Sequence, residues 1–359
     1  MSKQIIVPFG PQHPVLPEPI HLDLVLEDER VVEAIPSIGY VHRGLEKLVE
    51  KRDYKDYVFI SERICGICSF IHGATYCQGV EQIMGIEIPR RAEFLRAIWS
   101  EYSRMHSHLL WLGCFADSMG YENLFMNCWK VREKILDVLE RTTGGRVIQG
   151  VNRVGGVSRD MDAAELKRIE GEIPGLRDDF TELTRIFDED LTVQTRTKGI
   201  GILPKDKAWD LGAVGPVIRG SGHAVDVRST GYGAYDELDF KPVVRNEADC
   251  HARCLVRAEE LFTSLDLIEN AIDRIPAGDI LAPVKGNPSG EYYARAEQPR
   301  GEVIHYVKAN GKKNLLRHRV RTPTLANVPA LVHMLAGCEL ADVPVIVLTI
   351  DPCIGCMER

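Results

Sequence analysis

Two Cys-x-x-Cys units stand near opposite ends of the chain, Cys65/Cys68 in its first fifth and Cys353/Cys356 close to Arg359. Residues three positions apart at a turn or helix start lie on one side of the backbone, so each unit presents two thiols to one point. All four thiols can meet only if the fold brings both ends of the chain together. This requirement constrains the fold more than any other feature of the sequence.

Long helices are predicted for most of the chain between the two units. Apolar residues recur three or four positions apart in several stretches, which is the pattern of amphipathic helices. These stretches are Arg90–Met119, Asn123–Leu139, Ala163–Phe187, Glu247–Ile272 and Thr324–Gly337.

Strands are predicted in two short antiparallel elements. His21–Leu26 alternates in strand fashion and pairs with Val31–Ile35, while Glu302–Val307 and Asn314–Arg319 flank an Asn310-Gly311 turn signal. The proline-rich residues 1–20 should run extended. We therefore predict a mainly α (α+β) fold, a long-helix bundle with small antiparallel β elements, as a single domain over 1–359. Ligands would reach a central site from loops at helix ends.

Composition narrows the function classes. A net charge of −8 argues against a nucleic-acid partner. Ten cysteines without secretory features indicate metal binding or buried thiols instead of disulfides. The apolar run Val343–Ile350 is too short to span a bilayer, and the opening segment lacks the apolar region of a signal peptide. We expect any membrane association to be peripheral, through partner subunits.

Spacing alone leaves the identity of the metal open. Four cysteines are a common structural zinc site, but such sites usually join residues within a few tens of positions. An iron–sulfur cluster and a redox dithiol are the other candidates. Ligand softness does not distinguish nickel, iron and zinc. From the residues alone, the prediction is a buried four-thiolate metal site.

The residues around the cysteines carry a resemblance. Arg63-Ile-Cys-Gly-Ile-Cys68, followed by His72, and Asp351-Pro-Cys-Ile-Gly-Cys-Met-Glu-Arg359 resemble the two metal signatures of nickel–iron hydrogenase large subunits. The resemblance implies the large-subunit fold and nickel bound by all four cysteines. Cys68 and Cys356 would also bridge to an iron that carries CO and cyanide, and Cys65 and Cys353 would bind nickel terminally.

Two further segments indicate a subgroup. Gly10-Pro-Gln-His-Pro14 and His42-Arg-Gly44 are similar to the quinone-site subunit of respiratory complex I, which lacks the four cysteines. A short hydrogenase with these segments resembles the energy-converting, membrane-bound (Ech-type) group, which is related to complex I.

The resemblance also assigns roles to other residues. Cys353 is a catalytic candidate because a terminal thiolate can take the proton of H₂, and Glu18 would pass that proton outward. Arg300, in Gln298-Pro-Arg-Gly-Glu302, would assist H₂ cleavage and hydrogen-bond a cyanide.

The remaining assignments concern the surroundings of the metals. His72 would donate to a bridging thiolate, and Pro323 and Asp351 would shape the pocket. Glu46 corresponds to the acidic ligand of a divalent ion in the family. With Arg359 where a histidine is usual, we expect Glu46 to pair with its guanidinium instead.

The implied function is reversible H₂ oxidation and proton reduction. Electrons would be exchanged with ferredoxin through an iron–sulfur small subunit, with 4Fe-4S clusters only in partner subunits. Membrane subunits would couple the reaction to ion translocation on the cytoplasmic side of the cell membrane. The alternatives are a complex I-like quinone-site or coupling subunit without hydrogenase activity, and a four-cysteine zinc scaffold.

Overall fold

Helices dominate the fold, as predicted. The computed structural model describes residues 4–359. Its α-helices are α1 (Tyr57–Ser61), α2 (Ser69–Met84), α3 (Arg90–Ser118), α4 (Glu122–Thr143), α5 (Ala163–Glu189), α6 (Leu191–Thr197), α7 (Lys205–Asp210), α8 (Pro216–Arg219), α9 (Cys250–Arg274), α10 (Pro323–Leu335), α11 (Val343–Thr349) and α12 (Ile354–Glu358).

The core lies between the longest helices. α3 packs against α4 and α9, and α9 also packs against α5. α3 is buried on nearly every side, because apolar side chains face its neighbours and buried polar side chains between them include ion pairs such as Glu101 with Arg104. α9 begins three residues later than predicted, since the Asp249 carboxylate caps it by accepting the Ala252 N–H at 2.8 Å. The structure confirms the predicted fold class.

In the described part of the chain, three small antiparallel sheets complete the fold. Their strands are β1 (Gln4–Phe9), β2 (His21–Glu27) and β3 (Arg30–Ser37) in the first, β4 (Asn152–Arg153) and β5 (Gly156–Val157) in the second, and β6 (Ser289–Gln298), β7 (Gly301–Asn310) and β8 (Arg317–Arg321) in the third. β1 lies at a sheet edge, where Pro8 is tolerated.

One predicted strand boundary was wrong. The strand expected from Asn314 begins at Arg317, because residues 311–316 form a loop instead of a two-residue turn. Contacts outside the sheet hold that loop: the Lys313 carbonyl accepts the Tyr54 N–H at 2.8 Å, and the Asn314 amide donates to the Glu50 carbonyl at 2.9 Å.

A buried ionic cluster fixes the end of β6. Arg219 contacts Glu260 at 2.7 Å, Glu297 at 2.8 Å and Asp226 at 3.1 Å, and all four side chains are buried. Burial and the nearby Asp226 carboxylate raise the pKa of Glu297 to about 7. Glu297 lies three residues before Arg300, so the cluster anchors the end of the strand that precedes this arginine.

Within residues 4–359, no helix is both long and apolar enough to cross a bilayer.

Candidate metal centre

The first cysteine pair lies where a tight turn enters α2. Cys65 follows the 3₁₀ turn Glu62–Ile64, and Cys68 immediately precedes α2. The Cys65 sulfur accepts the backbone N–H groups of Ile67 and Cys68, each at 3.3 Å. Both cysteines are buried. The turn therefore aims two thiols to one side, as the spacing predicts.

The second pair surrounds the short helix α12. Asp351 adopts a left-handed backbone conformation (φ 55°), which turns the chain sharply after α11. Cys353 precedes α12 and donates its N–H to the Thr324 hydroxyl at 3.3 Å. Thr324 follows Pro323, which begins α10 and is buried. Pro323 thus lies next to the residue that holds the Cys353 backbone.

The two pairs meet in the interior. The Cys65 and Cys353 sulfurs are 3.3 Å apart, and those of Cys68 and Cys356 are 3.9 Å apart. The sulfurs of Cys65, Cys68 and Cys356 all lie within 4.8 Å of one another, close enough to share one ion. Hydrogen bonds from Cys353, Cys356 and Cys68 hold the pKa of the Cys65 thiol well below its usual range. This donor set fits a soft metal centre.

His72 lies against the second pair. Its Nε2 is 3.0 Å from the Cys356 sulfur, and its other ring nitrogen contacts His305 at 3.0 Å. Burial lowers the pKa of His72 to about 4, so the ring is neutral at physiological pH. A neutral ring that donates through Nε2 suits the role predicted for it.

Arg300 covers another side of the thiols. It is fully buried, donates through Nε to the Asp351 carbonyl at 2.9 Å, and pairs with the Asp351 carboxylate at 2.7 Å. Its Nη1 donates to the Ser107 hydroxyl on α3 at 3.2 Å. These contacts fix the guanidinium in one orientation and place Asp351 beside it; the pocket role of Asp351 stays a prediction.

Glu18 reaches the loop between the C-terminal cysteines. Its Oε2 accepts the Gly355 N–H at 2.8 Å. The same segment, residues 11–19, lines an open surface cavity of about 340 Å³. Glu18 therefore lies between solvent and the cysteine loop.

Glu46 and Arg359 form an ion pair. The Glu46 carboxylate accepts from Arg359 Nε at 3.1 Å, from the Val320 N–H at 2.9 Å and from Arg319 at 3.0 Å. Burial opposes ionisation of Glu46, but the Val320 N–H and the Arg359 charge hold its pKa below the ordinary value. The Arg359 guanidinium is therefore a partner of the Glu46 carboxylate, as expected from the sequence.

Sequence reasoning missed several residues around the site. Glu358 accepts the N–H groups of Gly39 and Val41 at 2.6 Å each, which fastens the C-terminal motif to the loop after β3. His305 contacts His72, and His318 contacts His305. Their signal in the sequence is weak, because a lone histidine at a buried strand position is usually a core residue.

A helical fold that buries one cysteine pair from each end of the chain defines the class of hydrogenase-type large subunits. Comparisons with known proteins agree with this class. The family model "Respiratory-chain NADH dehydrogenase, 49 Kd subunit" matches residues 118–287 and 283–359, and "Nickel-dependent hydrogenase" matches residues 43–114.

Individual relatives cover nearly the whole chain. The chain is 39% identical to the carbon monoxide-induced hydrogenase of Rhodospirillum rubrum, over 98% of this chain and 99% of that protein. It is 38% identical to the membrane-bound hydrogenase subunit alpha of Pyrococcus furiosus, over 98% and 87%. A chain in the structure of an archaeal membrane-bound sulfane sulfur reductase superposes with a TM-score of 0.94 at 32% identity, covering 99% and 98%.

The chain therefore belongs to the family of nickel–iron hydrogenase large subunits and complex I 49-kDa subunits, and it resembles the energy-converting, membrane-bound group of that family.

Proposed function

We propose that the chain is the catalytic subunit of a nickel–iron hydrogenase that interconverts H₂ with protons and electrons. The observation that carries the proposal is the convergence of four buried thiols, with 3.3 Å between Cys65 and Cys353 and 3.9 Å between Cys68 and Cys356. All four would bind nickel, and Cys68 and Cys356 would also bind an iron carrying CO and cyanide.

When bound, such a centre would supply the Lewis acidity that polarises H₂. The protein would supply the base and the path for the proton. The Cys353 thiolate would accept the proton, and Glu18 would carry it to the surface cavity beside residues 11–19. The orientation of Arg300, fixed by Asp351 and Ser107, supports a role in H₂ cleavage and in hydrogen bonding to a cyanide.

Partners follow from the same proposal. Electrons would leave through an iron–sulfur small subunit with 4Fe-4S clusters, and ferredoxin would be the indirect partner. Relatives named as subunits of membrane-bound complexes support membrane subunits as further partners. The chain, as one domain over 1–359, would then lie on the cytoplasmic side of the membrane.

A second candidate is a complex I-like quinone-site or coupling subunit without hydrogenase activity. The length of the match to the 49-kDa family model favours it. The four converging cysteines argue against it, because quinone binding does not require them.

Metal analysis of the purified complex, combined with infrared spectroscopy, tests the proposal. We expect one nickel and one iron per chain, with absorption bands of bound CO and cyanide. Zinc alone, or no metal with quinone-dependent activity, would refute it. A Cys77→Ser variant is the matched control: Cys77 is buried in α2, in an apolar cluster apart from the four thiols, and should leave metal content unchanged.

A further inference from the structure

Three histidines and a tyrosine form a continuous hydrogen-bonded chain that starts at Cys356. His72 Nε2 is 3.0 Å from the Cys356 sulfur, and His72 Nδ1 is 3.0 Å from His305 Nε2. His305 Nδ1 is 3.1 Å from His318 Nε2, and His318 Nδ1 is 2.9 Å from the Tyr57 hydroxyl. All four side chains are fully buried.

Separate elements build this chain. His72 comes from the first turn of α2, and Tyr57 is the first residue of α1. His305 on β7 and His318 on β8 are diagonal neighbours, since the residue opposite His318 is Val307. Both project to the buried face of the sheet, which packs against α2.

The contacts between ring nitrogens make the hydrogen-bonded chain directional. A nitrogen–nitrogen contact of 3.0 Å between His72 and His305, or of 3.1 Å between His305 and His318, is a hydrogen bond only if one nitrogen donates and the other accepts. Burial also lowers the pKa of His318 to about 3, and burial with the neighbouring histidines holds the pKa of His305 well below its usual range. A neutral imidazole has one donor and one acceptor nitrogen. Once one ring is set, each neighbouring ring must take the same tautomer.

The tyrosine end permits two directions. Tyr57 Oη lies 2.9 Å from the Leu45 carbonyl as well as 2.9 Å from His318, but it has a single hydrogen to donate. If it donates to His318, every imidazole carries its proton on Nε2 and His72 presents an N–H to sulfur. If it donates to Leu45, every proton moves to Nδ1 and His72 presents a lone pair to sulfur.

We propose that in the metal-loaded protein Tyr57, His318 and His305 are positioning residues that hold the Nε2–H of His72 on the Cys356 sulfur. The inference rests on the proposed function, because a metal-bound cysteine is a thiolate and accepts an N–H but repels a lone pair. Such outer hydrogen bonds draw electron density from a ligand and tune the metal. If this hydrogen-bonded chain of histidines is broken, the Cys356 thiolate should donate more electron density to the metal.

The first measurement reads the tautomers directly. In ¹⁵N-histidine-labelled, metal-loaded complex, we expect the proton on Nε2 in His72, His305 and His318. Protons on Nδ1 in these rings would overturn the inference, and this measurement needs no variant to fold.

The second measurement uses the infrared bands of bound CO and cyanide. His305→Leu breaks the chain and should shift the bands to lower wavenumber. His305→Gln should restore their wild-type position, because an amide can accept from His318 and donate to His72. Since glutamine does not titrate, this rescue also separates positioning from proton conduction. Unshifted bands in His305→Leu, or a failed rescue in a stable His305→Gln, would overturn the inference.

A tyrosine pair provides the matched control. The Tyr57 and Tyr76 rings both pack edge-on against the His318 ring, with 5.3 and 5.5 Å between the ring centroids. The Tyr57 hydroxyl lies within hydrogen-bond distance of both the Leu45 carbonyl and His318. The Tyr76 hydroxyl donates to the Tyr54 carbonyl and takes no part in the hydrogen-bonded chain of histidines. Tyr57→Phe should shift the bands in the same direction as His305→Leu, and Tyr76→Phe should not. Equal shifts in both would overturn the inference.

The two proposals fail differently. Absence of CO and cyanide bands in the wild-type protein would refute the hydrogenase function itself. Wild-type bands combined with Nδ1 protonation of His72 would refute only the role of the histidine chain.

Discussion

Replacing Glu18 by glutamine separates its chemical role from its structural one. Glutamine has the same length and retains an oxygen that can accept the Gly355 N–H. In the wild-type protein the Gly355 nitrogen lies 2.8 Å from Glu18 Oε2. The change from a charged to a neutral acceptor should cost about 1 kcal/mol or less of stability. Glutamine does not carry a proton, so H₂ turnover should fall about 10²–10⁴-fold. That loss corresponds to about 2.7–5.5 kcal/mol in the activation barrier, more than the structural cost explains.

The assay is H₂ evolution together with metal content and thermal stability. Glu18→Gln should retain nickel and iron while turnover falls, and Glu18→Asp should recover part of the activity because it still carries a proton. Asp23→Asn is a control on the following strand, where Asp23 contacts His21 and not the cysteine loop. Full activity in a metal-loaded Glu18→Gln protein would exclude Glu18 from the proton path.

Three more predictions concern the metal ligands and the core. Cys65→Ser should reduce nickel content to near zero by elemental analysis; normal nickel would exclude Cys65 as a ligand. Arg219→Met removes the guanidinium shared by Glu260, Glu297 and Asp226, leaves Arg228 as the remaining arginine paired with Asp226, and should cost about 3–5 kcal/mol in the free energy of unfolding. Arg185→Met, on the exposed face of α5, should leave the thermal stability near that of the wild-type protein. Equal losses would contradict the cluster's role. Burial raises the pKa of Glu62 to about 7, so the folded protein holds a proton that the unfolded chain releases above about pH 4.5. Stability from this group is present in acid and lost as the pH rises through 7, so Glu62→Gln should flatten that decline; an unchanged pH profile would contradict the shift.

Local sequence patterns predicted the long helices well. Arg90–Met119 was expected and α3 runs Arg90–Ser118, because a 3.6-residue periodicity is a property of the segment itself. β6 was not predicted, since its residues before Ala294 are exposed and it depends on pairing with β7. Strand pairing involves residues elsewhere in the chain, and a local pattern does not contain it.

The cysteine pairs were predictable, and their surroundings were less so. The flanking residues identified both motifs, and the structure places His72, Arg300, Asp351 and Glu18 around them; their roles stay predictions. The contacts of Glu358 with the loop at Gly39 and of His305 with His72 join distant segments. No residue spacing along the sequence signals such contacts.

The distance between the two cysteine pairs also has a consequence for synthesis of the protein. Cys65 and Cys353 are 288 residues apart in the chain. At typical translation rates, roughly 15 to 60 s pass between the emergence of the first pair and that of the second. During that interval Cys65 and Cys68 form an open dithiol, a good ligand for zinc or copper. Correct loading therefore requires that metal delivery wait for, or be coordinated with, the emergence of Cys353 and Cys356 from the ribosome.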